Sequence, residues 1–320
     1  NTTVTRELVL NADEEWIVEE QPDWITLSRT SGNGKAVILL TFAEMPKGSE
    51  NREGEVAFKL VDKDYRTRCK VTQYDYEYAE DQVITVQTAT KGDGVNVVLL
   101  GDGYNAKDIS EGKLLDNVYE AVEHFFGVEP YKSYRDHFNV YSVTAVSRNE
   151  VYTDDSETAF AGYFGEGTEV GGNDKAAMSY ALKAISEDRM DNALVVVMMN
   201  SLSYAGTCYM YYPESSSGDY GSGISVSYFP VGYSDLQINN LIRHEAGGHG
   251  FAKLADEYAY SWLGKMPNEV IEYHKEQTPW GWWKNADFTS DPTKVKWSRF
   301  LTDNRYASEG LGVYEGAFTY

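Results

Sequence analysis

The segment RHEAGGHGFAKLADEY, Arg243–Tyr258, decides how the second part of this sequence is interpreted. It places Glu245 directly after His244, puts a second histidine at His249, and ends on the acidic pair Asp256–Glu257. Histidines four residues apart lie about 40° apart around an α-helix and can share one metal ion, whereas histidines five residues apart lie about 140° apart. A regular α-helix would therefore keep these two histidines from one ion.

The glycines inside the segment offer a way around this spacing. A π-bulge accommodates one extra residue in a helix, absorbs about 100° and returns His249 to the face of His244. Gly247 and Gly248 stand where the backbone would have to deform, and each costs a regular helix about 1 kcal/mol relative to alanine. We therefore predict a helix that bulges between Ala246 and Gly248.

The same segment can supply the rest of a catalytic zinc site. Such a site needs about three protein ligands, one open position and a carboxylate that takes a proton from water. Asp256 is the first choice as third ligand beside the two histidines, and Glu257 is the second choice. The carboxylate that does not bind zinc would orient a ligating histidine. Glu245 would be the general base. The remaining histidines have no comparable neighbours and are interpreted as structural: His124, His137 and His274.

Upstream of the segment, predicted strands alternate with predicted helices. Apolar runs predict buried strands, and apolar residues at helical spacing predict helices. The strands are Val95–Tyr104, which ends in a glycine turn, His137–Val146 and Ala193–Asn200, and the helices are Asp108–Phe126 and Asp174–Ile185. Ser234 and Gln237 fit a capping box that begins the helix carrying the two histidines. This alternation predicts a layered α/β or α+β domain over residues 80–320.

Residues 1–79 have a different pattern. Short runs rich in β-branched and aromatic residues are separated by turn clusters at Ser31–Lys35 and Pro46–Gly54. This pattern predicts an all-β sandwich. The acidic, tyrosine-rich stretch Tyr74–Gln82 is interpreted as the connector, so that the chain has two domains, 1–79 and 80–320.

Composition excludes several classes of partner. The net charge of −22 argues against nucleic acid, because binding to its backbone depends on lysine and arginine. The sequence contains no apolar run of the roughly 18 residues that a membrane helix needs.

Cys69 and Cys208 are too few for a disulfide framework and are predicted to be buried free thiols. The sequence ends at VYEGAFTY without a recognisable final helix or strand, which suggests a truncated end.

The run HEAGGHGFAKLADEY resembles the signature of the M64 metallopeptidases, the family named for a bacterial IgA peptidase. That signature has the form HExGHxF followed by LxDEY, and this sequence departs from it by one extra residue between the histidines. VVLLGDGYNAKD and EPYKSYRDHFNVYSV also resemble that family, so that the likeness spans roughly Asp81 to Tyr320. It implies a zincin-like domain, in which an edge strand of a mixed sheet aligns the peptide above the ligand helix. It also implies a zinc endopeptidase acting on protein or glycoprotein substrates, host glycoproteins among them.

Residues 1–79 are similar to a BACON domain, an immunoglobulin-like module associated with Bacteroidetes. The stretch WIVEEQPDWITLSRTSGNGKAVILLTFAEMP carries this likeness. It implies export to the cell surface or periplasm as a lipid-anchored protein in the full precursor, and a carbohydrate contact through this domain. A spacer role for the domain is the favoured alternative.

A second function from another class is a catalytically inactive protein that binds glycans or glycoproteins at the cell surface. Its binding surface would combine the BACON-like module with a cluster of tryptophans, Trp280, Trp282, Trp283 and Trp297. Such a cluster is more often a packing surface than a binding cleft. Metal content separates the two functions, because only the peptidase needs about one zinc ion per chain.

Overall fold

A computed structural model describes most of the chain. The described residues are 4–45, 52–73, 80–212, 223–232, 234–257 and 266–314. They fall into two compact units, Asn1–Glu77 and Tyr78–Tyr320. Some predicted features lie outside the described residues: most of the turn cluster Pro46–Gly54, most of the connector, Tyr258 of the signature segment, and the last six residues.

In the described part of the first unit, every regular element is a strand. Strands β1, β5 and β3 form one antiparallel sheet in the order β1-β5-β3, and the other four form a second antiparallel sheet in the order β4-β2-β6-β7. The strands are β1 Val4–Leu10, β2 Glu15–Glu20, β3 Ile25–Leu27, β4 Ser31–Asn33, β5 Ala36–Phe42, β6 Arg52–Leu60 and β7 Arg66–Gln73.

The core of this unit lies between the inner faces of its strands. Along β5, Ala36, Ile38 and Leu40 are buried and alternate with exposed residues, as expected for a strand with one face in the core. Trp16 is almost fully buried and packs edge-to-face on Phe58, with 5.8 Å between ring centroids. Trp16 and Phe58 belong to one sheet, and they form a single buried cluster with Ile38 and Leu40 of the other, so that the two sheets share one core. The immunoglobulin-like assignment stays a prediction.

The second unit is built on a mixed six-stranded sheet. Its strand order is β14-β15-β13-β9-β10-β8, in which the four inner strands are parallel and the two edge strands, β8 and β14, run antiparallel to their neighbours. The strands of this unit are β8 Val83–Gln87, β9 Val95–Asp102, β10 Phe138–Val143, β11 Tyr163–Phe164, β12 Val170–Gly171, β13 Leu194–Met199, β14 Thr207–Met210 and β15 Ser225–Pro230; β11 and β12 form a separate pair.

Helices cover both faces of this sheet. The α-helices are α1 Ala106–Ser110, α2 Lys113–Phe125, α3 Asp174–Ala181, α4 Asp235–Leu241, α5 Asn268–Gln277 and α6 Ser298–Leu301. A π-helix spans Ile242–Phe251, and short 3₁₀ segments span Arg135–His137, Glu187–Asn192, Thr278–Trp280 and Asn304–Tyr306. Side chains on one face of β9 and β13 pack with α2, α4 and the π-helix, and those on the other face pack with α3. The predicted α/β layering is therefore present.

Three local predictions need correction. The helix predicted over Asp108–Phe126 is two helices, because Gly112 between them adopts a left-handed conformation with φ of +86°. The helix predicted to reach Ile185 ends at Ala181. The capping box at Ser234 is absent: its side chain makes no cap hydrogen bond, and Gln237 instead donates through Nε2 to the carbonyl of Ser203 at 2.6 Å.

Two predictions from composition can also be compared with the structure. Both cysteines are free thiols as predicted, but both are only half-buried. No helix in the described ranges is long and apolar enough to cross a membrane.

Candidate metal centre

The two histidines of the signature segment lie on a π-helix. Helix α4 continues directly into it at Ile242, and Ala252 donates its N–H to the carbonyl of Gly247, five residues earlier, at 3.0 Å. Hydrogen bonds between residues five apart place those residues one above the other on the same helix face. The predicted bulge is confirmed, and it is longer than expected, since π geometry spans ten residues.

This backbone brings three ligand atoms together. The Nε2 atoms of His244 and His249 are 3.2 Å apart, and Oδ1 of Asp256 lies 3.1 Å from the first and 3.3 Å from the second. Ligand atoms about 2.1 Å from a tetrahedral zinc ion lie about 3.4 Å from one another. The donor set and its spacing therefore fit one metal ion, and His244, His249 and Asp256 form the only such group among the described residues.

The tautomer of His249 suits metal binding. Its Nδ1 lies 2.7 Å from the carbonyl oxygen of Leu254, which can only accept a hydrogen bond, so that Nδ1 carries the proton. The lone pair of Nε2 then points to the other two ligand atoms. A backbone carbonyl commonly holds a ligating histidine in this way. Glu257, predicted as the alternative ligand or as the residue that orients a histidine, instead accepts a hydrogen bond from Asn285 at 3.0 Å.

Glu245 lies beside this group and away from solvent. Only 4% of the residue is exposed, and its Oε1 is 4.0 Å from Nε2 of His244. Burial raises the pKa of the Glu245 carboxyl to about 7, although the two histidines act in the opposite direction. Gly206, the residue before β14, lies so close that a Cβ there would be 2.3 Å from Oε1 of Glu245. A buried carboxyl beside the three ligand atoms is placed to accept and return a proton.

Contacts from elsewhere in the unit support the π-helix. Tyr131, which precedes β10, donates its hydroxyl to the carbonyl of Gly247 at 2.7 Å. A Cβ at Gly247 would lie 3.3 Å from the Tyr131 ring, and a Cβ at Gly250 would lie 2.9 Å from Oγ of Ser225 on β15. A Cβ at Gly248 would meet nothing nearer than 3.7 Å. A side chain at 250 would therefore force a neighbouring atom to shift, one at 247 would be tight against Tyr131, and one at 248 would have room.

The other candidate residues lie outside the metal centre. Nε2 of His124 is 3.4 Å from a carboxylate oxygen of Glu120 one turn earlier on α2, and His274 stacks on Trp283 with ring centroids 5.1 Å apart. Trp282 is 2% exposed and stacks with Tyr212 at 5.8 Å. These contacts favour packing roles for these aromatic residues, as predicted.

Sequence patterns alone did not identify Tyr131, Gly206 or Asn285 as parts of the site. Each contacts the signature segment although it is distant from it in sequence. Tyr131, for example, is 116 residues before Gly247, which it contacts. Asn285 stands next to the tryptophan cluster in GWWKNADF, and that proximity is the one local signal that could have drawn attention to it.

Comparisons with known proteins bear on the second unit. No curated protein matches the sequence significantly. Among solved structures, a Bacteroides ovatus GH5 xyloglucanase in complex with a XXXG heptasaccharide matches with 16% identity and a TM-score of 0.22, over 62% of this chain and 42% of that chain. That similarity is too low to support an argument about fold or function. A family profile described as IgA Peptidase M64 matches residues 83–307, which include the whole candidate metal centre and most of the second unit. The chain belongs to the IgA peptidase M64 family.

Proposed function

We propose that this protein is a zinc-dependent endopeptidase. The observation that carries the proposal is the spacing of the three ligand atoms of His244, His249 and Asp256, all within 3.1 to 3.3 Å of one another, beside the buried carboxyl of Glu245. Two imidazoles and one carboxylate are a common ligand set of catalytic zinc. Membership of a peptidase family supplies the reaction class.

The residues of the site have separate roles in this proposal. When bound, zinc polarises the scissile carbonyl and lowers the pKa of water to about 7. Glu245 takes the proton from the attacking water and passes it to the leaving amine. Its burial keeps competing solvent from the carboxylate, and the Nδ1–H of His249, held by the carbonyl of Leu254, leaves Nε2 as the atom that would bind zinc.

Strand β14 is the proposed guide for the substrate. It is the last strand of the six-stranded sheet on the side of the π-helix, and Gly206, directly before it, lies against Glu245. The N–H of Gly206 itself donates to the carbonyl of Thr168, so that an extended peptide would pair with the part of this edge beyond Gly206 and pass close to the general base. The substrate is therefore proposed to be a protein or glycoprotein chain bound in extended form; host origin and export stay predictions.

Replacement of the base tests the proposal. Glu245→Gln keeps the size of the side chain but cannot accept the proton, so that we expect about one zinc ion per chain and a loss of peptide cleavage of roughly 10²–10⁴-fold. Zinc content is measured by elemental analysis of protein purified without chelator, and cleavage by mass spectrometry of a peptide library. Turnover equal to that of the wild type would remove Glu245 from this role, and a wild-type protein free of zinc would overturn the proposal.

A further inference from the structure

The third ligand lies on a stretch of chain without helix or strand. Residues 253–257, called the carboxylate arm below, follow the π-helix and carry Asp256, whose side chain is 3% exposed. A stretch without helix or strand makes no regular backbone hydrogen bonds of its own, so that contacts from other segments must fix its position. Any looseness in the arm would move the Asp256 carboxylate relative to the two imidazoles.

Asn285 holds the arm at the residue directly before the ligand. Its Oδ1 accepts the N–H of Ala255 at 2.9 Å, and its Nδ2 donates to the carbonyl of the same residue at 2.8 Å. One side-chain amide thus occupies both backbone groups of Ala255, as a neighbouring strand would. The same Nδ2 also donates to the carboxylate of Glu257 at 3.0 Å. The residues on both sides of Asp256 are therefore bound by one side chain.

A second contact between the same two segments reinforces this arrangement. Lys253 and Trp283 both have left-handed backbone conformations, with φ of +54° and +59°, which are unfavourable for residues other than glycine. Trp283 donates its N–H to the carbonyl of Lys253 at 2.8 Å. The Lys253 ammonium in turn donates to the carbonyls of Gly223 and Gly250, which fixes the start of the arm to the end of the π-helix. Strained backbone of this kind persists where surrounding contacts over-determine it.

We infer that Asn285 is a positioning residue of the metal centre, which sets the place of the Asp256 carboxylate by binding the backbone of Ala255 and the side chain of Glu257. This inference rests on the proposed function, because it assigns Asn285 to the metal site of that function. It requires the amide specifically: a carboxylate at 285 could accept from Ala255 but could not donate to its carbonyl, and it would oppose the charge of Glu257.

The test measures zinc affinity by competition with a chromophoric chelator on the full chain. Loss of a hydrogen bond that orients a metal ligand typically lowers metal affinity by roughly 10- to 100-fold. We expect zinc affinity to fall in that range in both Asn285→Ala and Asn285→Asp. Asn304→Asp, at an exposed position, adds the same charge as Asn285→Asp and should keep wild-type affinity. Wild-type affinity in both Asn285 variants would overturn the inference, whereas a wild-type protein that binds no zinc would overturn the proposed function itself.

A double-mutant cycle separates positioning from a general loss of structure. In an Asp256→Ala background the carboxylate is gone, so that Asn285→Asp should weaken zinc binding by no more than roughly threefold further, because interacting residues are non-additive. An equal loss in both backgrounds would show that Asn285 acts on the fold and not through Asp256, and would overturn the inference. Thermal unfolding of each metal-free variant accompanies the cycle, and if Asn285→Ala does not fold, the outcome is read from Asn285→Asp.

Discussion

At the scale of single residues, the position of Glu245 depends on the absence of a side chain at Gly206. The nearest atom to a Cβ at that position would be Oε1 of Glu245 at 2.3 Å, a separation that real Cβ atoms do not show. Gly206 is also held in place, since it donates its N–H to the carbonyl of Thr168 at 3.1 Å. The carboxyl of Glu245 is therefore the group that has to move when a methyl group is added.

Gly206→Ala should consequently lower kcat/KM while zinc stays bound. We expect a loss of about 100-fold, the scale of a misplacement of about 1 Å in a catalytic site. Steady-state kinetics on a peptide substrate and zinc content give the two readouts. In a Glu245→Gln background the added methyl group should cause little further loss. Full activity of Gly206→Ala would contradict the placement of Glu245 against this glycine.

At the scale of elements, periodicity and spacing predicted most strands and helices of the second unit, but not the residues at which the helices begin and end. Strands β9, β10 and β13 were predicted because buried parallel strands form continuous apolar runs. The capping box predicted at Ser234 was wrong because Gln237 has a competing acceptor in a distant loop. A true capping box between Asn105 and Asp108 was missed at the start of α1.

The π-helix was predictable for a chemical reason, and its length was not. Only a backbone with hydrogen bonds five residues apart lets His244 and His249 meet, so that their spacing together with two glycines indicated the bulge. How far π geometry extends depends on contacts such as the hydrogen bond from Tyr131 to Gly247, which no local pattern reveals. The contacts of Asn285 with Ala255 and Glu257 likewise join segments that are distant in sequence, and no local pattern predicts them.

Two alanine substitutions test the glycines of the π-helix. Gly248→Ala has room for its methyl group and should keep zinc binding, with stability equal to the wild type or up to about 1 kcal/mol higher. Gly250→Ala would place Cβ 2.9 Å from Oγ of Ser225 and should destabilise the protein by about 1–3 kcal/mol. Chemical denaturation measures both. Equal effects of the two substitutions would contradict the packing of the π-helix on β15.

At the scale of the whole molecule, an excess of acidic side chains makes stability depend on how each carboxyl is held. Burial raises the pKa of Glu120 on α2, and the carboxylate of Asp235 at the start of α4 adds to the effect. Hydrogen bonding to Arg135 lowers the pKa of Glu123 on the same helix. The two neighbouring glutamates should therefore have opposite effects on stability as pH changes.

The opposite pH dependence of the two glutamates can be measured as Tm against pH in two glutamine variants. The carboxyl of Glu120 contributes stability to the fold below its unfolded pKa, and this stability is lost as pH rises through its higher folded pKa. The glutamine of Glu120→Gln does not titrate, so that the Tm of this variant should rise relative to the Tm of the wild type between pH 4 and pH 8. The carboxylate of Glu123 contributes stability to the fold above its unfolded pKa, and this stability is lost as pH falls through its lower folded pKa. Glu123→Gln should therefore have a lower Tm than the wild type at pH 8 and an equal Tm at low pH. Parallel Tm profiles for the two variants would contradict these assignments.

The central claim is that a π-helix lets two histidines five residues apart bind one metal ion. X-ray absorption at the zinc edge of the zinc-loaded protein tests it most directly, because imidazole ligands produce a distinct outer-shell signal. The claim predicts two imidazole nitrogens and a carboxylate oxygen at about 2.0–2.2 Å from zinc, with one imidazole lost in His244→Ala and one in His249→Ala. A wild-type spectrum with a single imidazole, unchanged in His244→Ala, would contradict it.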